Sequence, residues 1–455
     1  MARRRRPRQL LAQRFDEAIQ PVFLIESRRI AYVNAACATW LGVPEDELIG
    51  TECYFGAPSP QMNSNERAAL LLCPPPELLD RPCFRTFQLA IRTGEVKYAC
   101  GVSFHSEGNK ELSVWVYVGD EQADSIGDKL KERESEASRL HARLRQYQST
   151  GDLTIPPALL GDSFLAQRAS QQVAIVSQRP GCVLLQGPAG IGREQVARFV
   201  HDSAASHRGL EQVPMFPIAC PLMDAELIDS SLELFGHQSR DALLASVVLM
   251  DVDQLIAEAQ DVLAKFLDDQ RGRSVYVFST SRSSLISNAV GFDANLALRL
   301  STITIELPSL ASRREDIPLI IQQLVEMQNV SSERQIEGFS SNAIDRMVGY
   351  DWPENTAELA ELVAAALQEN TDRMVDAREL PDLLSHAEEA ARRPQSKVET
   401  VAMDEFLEEV EKELLQRALA VAKGNKAQAA RMLGISRQRV IRRVSQWDLD
   451  WSPGD

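Results

Sequence analysis

The stretch 183–194, VLLQGPAGIGRE, passes from an apolar run into a glycine-rich turn and on into a helix-forming segment. Strand, glycine loop and helix in that order outline a phosphate-binding loop: glycines let backbone N–H groups turn inward, and the helix N-terminus adds the positive end of its dipole. Gly187, Gly190 and Gly192 are therefore candidate nucleotide contacts. The full rule GxxxxGK(S/T) asks next for lysine and then a hydroxyl residue, and here those places hold Arg193 and Glu194. Arginine brings a planar fork in place of a compact ammonium. Glutamate brings a carboxylate where a hydroxyl joins the magnesium shell.

Apolar runs recur beyond the loop at 247–250, 275–278 and 303–307, with helix-like segments between them. This alternation predicts a parallel sheet with helices on its faces, an α/β domain over 151–310. From 314 to 384 the pattern is helical throughout, and 386–400 is polar and reads as a linker.

Farther on, residues 424–444 read GNKAQAARMLGISRQRVIRRV. Seven basic residues and no acidic one lie between 423 and 443, in a chain of net charge −16, which points to double-stranded DNA. Asn425 can cap a helix ending near Leu433 with Ala429, Ala430 and Leu433 inside, Gly434 makes the turn, and Ser436 caps a second helix. Val440 and Val444 point inward while Arg437, Arg439, Arg442 and Arg443 face out, an all-α helix-turn-helix. Arg437 and Arg439 suit base edges, and Arg442, Arg443 and Lys426 the phosphate backbone, with Ser436 and Gln438 at the head of the recognition helix. Before it, 403–421 reads as a long amphipathic helix through Phe406, Leu407, Val410, Leu414, Leu415, Ala418 and Leu419.

Ahead of the glycine loop, a basic tail over 1–13 precedes an α+β unit over 14–120. Residues 22–25 and 30–33 read as strands about the turn 27–29, a helix starts at Asn34, and 96–104 with 112–118 make a hairpin about 106–110. His105, at a strand end, reads as exposed or packed and not as a haem ligand. Within 121–150, Leu130, Ala137, Leu140, Leu144 and Tyr147 fall at heptad positions, with Arg133 at another. The segment reads equally as a short coiled coil and as a solvated linker helix.

A length of 455 residues with 44% hydrophobic side chains gives room for several cores. No apolar run reaches the roughly 18 residues of a membrane span, and the basic start lacks the apolar part of a secretory signal. A cytoplasmic, nucleoid-associated protein without a membrane partner is expected. Cys37, Cys53, Cys73, Cys83, Cys100, Cys182 and Cys220 contain no CxxC pair and read as reduced thiols, and no metal is expected.

The pattern RIAYVNAACATWLGVPEDELIGT (29–51) resembles a PAS sensor domain, and 424–444 resembles the Fis-type DNA-binding domain. The centre resembles the AAA+ domain of bacterial enhancer-binding proteins, which activate sigma-54 RNA polymerase. That likeness rests on LLGDSFLAQRA (159–169), the glycine loop, FPIACPLM (216–223), ELFGH (233–237), LPSLASRREDIPL (307–319) and DWPEN (351–355). It implies an α/β subdomain over 151–310, a helical lid over 311–385, a linker over 386–402 and a module over 403–455 whose first helix dimerises.

The resemblance also implies catalytic residues that this chain lacks. Where the family ends a strand in Asp-Glu, Asp251 is followed by Val252, and Asp253 on a continuing strand would share the face of Asp251, one residue too late. The sensor asparagine aligns with Arg282 and the lid's sensor arginine with Ala357. Arg299 matches one arginine of the finger region, while its companion position holds Ala294 or a neighbour. Only residues 238–246 separate Gly236-His237 from the strand at 247, so the GAFTGA loop that engages sigma-54 has no counterpart.

The expectation is thus a sequence-specific DNA-binding transcriptional regulator, a homodimer or higher oligomer, with no catalytic residues. Its pseudo-ATPase domain acts as an assembly or partner-binding platform, and Gly187, Gly190, Gly192, Arg193, Glu194, Asp251 and Arg299 are the residues left for an intermediate possibility, ATP binding without turnover. RNA polymerase or a related activator is the protein partner. Two alternatives stay open: an ATP-dependent sigma-54 activator, and an inactive scaffold subunit that modulates a true activator.

Overall fold

The computed structural model describes residues 15–58, 62–90, 95–105, 111–119, 135–148, 153–210, 213–240, 242–269, 274–286, 291–332, 334–370, 372–380 and 403–447. The tail expected over 1–13, the turn at 106–110, Leu130, Arg133 and the linker at 386–402 lie outside them.

The N-terminal elements are β1 (Val22–Glu26), β2 (Arg29–Val33), α1 (Ala35–Leu41), α2 (Glu45–Leu48), α3 (Ser64–Leu71), α4 (Pro76–Asp80), β3 (Phe84–Ala90), β4 (Val96–His105) and β5 (Leu112–Gly119). The strands form one antiparallel sheet in the order β2-β1-β5-β4-β3. Ser27 and Arg28 both take left-handed backbone angles, the geometry a two-residue hairpin turn needs. Buried Asn34 caps α1 by accepting from the Cys37 N–H, and the same oxygen accepts from the Val22 N–H at 3.0 Å, tying helix start to strand start. The hairpin of β4 and β5 forms as the alternation predicts, and His105 is exposed. Strand β3 was not foreseen, because its inward sequence Arg85, Phe87, Leu89 opens on a charged residue that is paired with Glu77 and Glu337.

Helix α5 (Glu136–Gln148) follows. Its Ala137, Leu140 and Leu144 are buried, and Leu140 and Leu144 belong to the same apolar core as Ile317, Ile320, Phe339 and Trp352. The apolar face read from the heptad is therefore covered within the chain. It faces the lid and not solvent, and Gly338 allows a close approach: a Cβ there would lie 2.7 Å from that of Ala137.

Next come α6 (Phe164–Val176), β6 (Cys182–Gln186), α7 (Arg193–Ser206), β7 (Met215–Ala219), α8 (Ala225–Gln238), β8 (Ala245–Met250), α9 (Ala257–Asp269), β9 (Val275–Ser281), α10 (Ala294–Leu300) and β10 (Ile303–Glu306). The sheet is parallel throughout, in the order β10-β6-β9-β8-β7. Successive strand residues serve opposite faces: Val183 and Leu185 pack with α6 and α7, and Leu184 with the core of α8, α9 and α10. Burial on both faces explains why these strands read as continuous apolar runs. The edge strand β7 was missed because Pro217 interrupts its pattern, a residue an edge tolerates and an inner strand does not.

The lid holds α11 (Ile317–Ser331), α12 (Ser341–Gly349) and α13 (Asn355–Glu369). It is not helical throughout. A short parallel pair, β11 (Gly338–Phe339) and β12 (Met374–Val375), joins its ends. The C-terminal unit is separate and contains α14 (Met403–Val421), α15 (Lys426–Leu433) and α16 (Arg437–Gln446) around Leu415, Ala418, Leu419, Ala429, Ala430, Val440 and Val444.

Candidate nucleotide cleft and nucleic-acid interface

The glycine loop leaves the C-terminal end of β6 and enters α7, with Gly190 at φ 70° and Gly192 at φ 92°. Both angles lie in the left-handed region, so the sequence needs glycine at these two places. Gly190, Gly192, Arg193 and Glu194 line a cleft of about 800 Å³ with Gln195, Arg198 and Phe199. Arg193 is largely buried, and its Nη2 stands 2.9 Å from Asp251 Oδ1 at the end of β8. Asp251 itself has φ 49°, and its N–H donates to Thr280 Oγ1 at 2.9 Å. The chain then turns into a short helical turn, Val252–Gln254. Asp253 is thus not on a continuing strand beside Asp251, since the left-handed residue ends β8. Arg193 Nη1 is buried with no hydrogen-bond partner among the described residues.

These residues fit a phosphate group, because the loop offers a turned backbone and Arg193 an unused donor. They do not fit a hydrolytic magnesium. The acid that would hold it faces a guanidinium, and Glu194 replaces the hydroxyl. Among the described residues no cluster of His, Cys, Asp and Glu could hold a metal ion.

The lid meets the loop through Asn355, Thr356 and Ala357, of which the sequence motifs assign none to nucleotide. Asn355 Nδ2 donates to the Ala189 carbonyl at 2.9 Å while its Oδ1 accepts from the Leu310 N–H at 3.0 Å. The Thr356 hydroxyl and the Ala357 N–H both donate to the Gly190 carbonyl, at 2.8 and 3.0 Å. A Cβ on Gly190 would lie 2.0 Å from the Glu354 carbonyl oxygen. The DWPEN motif was the available signal for this docking. Arg282 is exposed beyond β9, and Arg299 is tied to Asp268 at 2.9 Å and to the Ala264 carbonyl, outside the cleft lining. Of the seven expected nucleotide residues, the structure gathers Gly190, Gly192, Arg193 and Glu194 at the cleft. Gly187 and Asp251 are not part of the cleft lining, Asp251 reaching it only through Arg193, and Arg299 is held by Asp268.

In the C-terminal unit, Asn425 accepts from the N–H groups of Ala427 and Gln428, and Gly434 ends α15 at φ 66°. Ser436 Oγ accepts from the Arg439 N–H at 3.2 Å, and Val440 and Val444 are buried, the two-helix geometry expected from the sequence. Lys426, Arg437, Gln438 and Arg442 are exposed. Arg439 is exposed as well, and Arg443 is half-buried. Arg439 and Arg443 turn to Glu411 on α14, at 2.9 and 2.8 Å, because the helix places them one turn apart on the flank nearest that acid.

Residues 160–310 match the model of the sigma-54 interaction domain, 311–397 that of the AAA+ ATPase lid domain, and 406–447 that of the bacterial regulatory protein, Fis family. The chain thus carries, in that order, a sigma-54 interaction domain, an AAA+ lid domain and a Fis-type helix-turn-helix. Similar proteins include the transcriptional regulatory protein ZraR of Escherichia coli (strain K12), 28% identical over 314 residues that cover 63% of this chain and 68% of that protein. The phenol regulator MopR of Acinetobacter guillouiae is 28% identical over 403 residues, 77% of this chain and 71% of that one. A solved structure of NtrX from Brucella abortus in complex with ATP aligns over 71% of this chain and 74% of that chain, with 22% identity and a TM-score of 0.42.

The N-terminal unit is fastened to the lid by buried polar groups. The Phe55 N–H donates to Gln335 Oε1 at 2.9 Å, and Asn329 Nδ2 donates to the Phe55 carbonyl at 2.7 Å. The Phe55 ring stacks on His141 of α5 at 3.9 Å, and His141 Nδ1 meets Glu326 Oε1 of α11 at 2.8 Å. Arg145 reaches Glu326 Oε2 at 3.3 Å and also the Gly56 carbonyl. Burial pushes the Glu326 carboxyl up, but His141 and Arg145 outweigh it and hold the group below its ordinary range. Burial also lowers His141, so neutral imidazole is the resident form. Ala57 and Pro58, next along this segment, line the nucleotide cleft itself.

Proposed function

We propose that this regulator binds double-stranded DNA sequence-specifically and carries an AAA+ domain that takes nucleotide without hydrolysing it. The observation behind this reading is the ion pair of Arg193 with Asp251, which commits the one acid at the strand end to the residue following the loop. The glycine turn and the unused Arg193 Nη1 support phosphate binding as a structural function. Helix α8 runs unbroken from Ala225 to Gln238 and β8 begins at Ala245, which supports a domain without a GAFTGA-type contact loop. RNA polymerase or a related activator is the protein partner this architecture suits.

The unit over 14–120 serves as a PAS-like sensor, supported by its antiparallel sheet order. Its signal passes through α5 to the lid, along the Phe55, His141 and Glu326 chain. The module over 403–455 dimerises through α14, where Leu407, Val410, Leu414 and Val421 are exposed at near-heptad spacing. No helix among the described residues is long and apolar enough to cross a membrane, in keeping with work on the nucleoid in the cytoplasm.

Steady-state phosphate release by the full chain, with Asp251→Ala as control, tests the central claim. Turnover indistinguishable from the control is expected, with a fluorescent ATP analogue still bound. Turnover that disappears in the control would restore the ATP-driven activator. Selection of genomic fragments at moderate ionic strength tests the DNA claim, and recovery of no fragment would favour the scaffold reading.

A further inference from the structure

The four arginines of α16 fall into two pairs with different surroundings. Arg437, Arg439, Arg442 and Gln438 are exposed and Arg443 is half-buried; what separates the pairs is an acidic partner. Arg439 and Arg443, one helical turn apart, each give Nη2 to a different oxygen of Glu411: Arg439 to Oε1 at 2.9 Å, Arg443 to Oε2 at 2.8 Å. The second arginine is further fixed. Its guanidinium lies over the Trp447 ring at 4.8 Å and donates to Gln446 Oε1 at 2.8 Å, and Trp447 Nε1 donates to Glu408 Oε1 at 2.9 Å. A single acid on the preceding helix therefore compensates two of the cations that the recognition helix brings toward DNA.

Non-specific affinity for a duplex grows with the number of phosphates a protein neutralises. A guanidinium already held by a carboxylate releases fewer counterions on meeting a phosphate, and the carboxylate itself repels the backbone. One exposed ion pair would be a weak restraint. Here two pairs share one acid, and a ring stack holds one of the arginines in place.

We propose that Glu411 is a specificity-determining residue. It keeps Arg439 and Arg443 from general phosphate binding, so that discrimination between sequences rests on Arg437 and Gln438. This inference rests on the DNA-binding reading of the module.

The full chain and its Glu411→Gln variant are titrated with a mixed-sequence DNA duplex over a series of salt concentrations, and with the best fragment from selection. Glu411→Gln is expected to steepen the slope of log Kd against log salt by about 1.8, roughly 0.9 for each of two added phosphates. Mixed-sequence affinity at low salt should rise about tenfold and affinity for the selected fragment less, so the ratio between them falls. With Arg439→Ala and Arg443→Ala already present, the Glu411→Gln change should leave the slope where it was. An unchanged or shallower slope for Glu411→Gln, in a variant with native helical signal and Tm, overturns the proposal. A wild-type chain without salt-dependent affinity for any duplex overturns the DNA-binding reading itself.

Discussion

Arg193 and Asp251 stand 2.9 Å apart across the mouth of β6 and β8, the arginine largely buried and the aspartate in a left-handed turn. Each side chain occupies a place where nucleotide chemistry needs a free charge, and each compensates the other. Removing the acid should therefore release the guanidinium toward phosphate. Asp251→Asn keeps a residue tolerant of φ 49° and drops only the charge. ATP-analogue affinity is expected to rise about tenfold, the equivalent of roughly 1.4 kcal/mol, with turnover still absent. A titration in which Asp251→Asn abolishes binding would instead make Asp251 a magnesium ligand.

Lid and loop are joined through backbone carbonyls, so their union depends on the absence of a side chain at Gly190. Alanine there meets the Glu354 carbonyl at 2.0 Å and must also adopt φ 70°. Gly190→Ala should lower stability by about 1–3 kcal/mol, read as a fall in Tm, and it should also weaken nucleotide binding. Asn355→Ala, which loses the bonds to Ala189 and Leu310 without adding bulk, should weaken nucleotide binding with a smaller fall in Tm. Equal Tm for Gly190→Ala and wild type would mean that the lid does not sit on the loop.

The buried junction between the N-terminal unit and the lid should be acid-sensitive. His141 has its folded pKa below the ordinary 6.5, so as pH falls through that value the unfolded chain takes a proton that the folded one refuses. Glu326 is likewise held below its ordinary 4.5, and its contribution is present above that value and lost below it. Stability should therefore decline from about pH 6.5 downward, by up to about 1.4 kcal/mol per pH unit from His141 alone. Thermal melts between neutral and mildly acid pH check this, with His141→Gln expected to flatten the upper part of the decline. A wild-type Tm that rises on acidification through that window would show that His141 is protonated in the fold.

Features set by neighbours in sequence were legible, and features set across the chain were not. Asn425, Gly434 and Ser436 act on their own helix ends, so the helix-turn-helix could be drawn from residues within one turn of each other. The strands of the parallel sheet announced themselves because both faces are buried, apart from β7 with its Pro217. An amphipathic face, by contrast, does not name its cover. Leu140 and Leu144 were visible as a stripe, yet nothing local says that α11 and Phe339 lie over them. Arg439 is outward as read, yet its sequence neighbours do not show that Glu411, 28 positions earlier, lies beside it. The pairing of Arg193 with Asp251 has the same character, since it depends on a backbone turn at Asp251 that its sequence neighbours do not require.

Within α16 the two arginines that do not pair with Glu411 should behave differently on DNA. Arg437 opens the helix beside the Ser436 cap, where a side chain can reach a base edge, whereas Arg442 projects from the middle of the outward face. Arg437→Ala is expected to cost about 1–3 kcal/mol on a selected fragment, with relaxed preference at one position and little change on mixed sequence. Arg442→Ala should weaken every duplex alike and reduce the salt slope by about 0.9, the signature of one lost phosphate contact. Anisotropy titrations of both variants against selected and mixed-sequence duplexes separate the two roles. If the effects were exchanged, the recognition helix would enter the groove by its middle and not by its N-terminal turn, and Ser436 would then lie against the backbone.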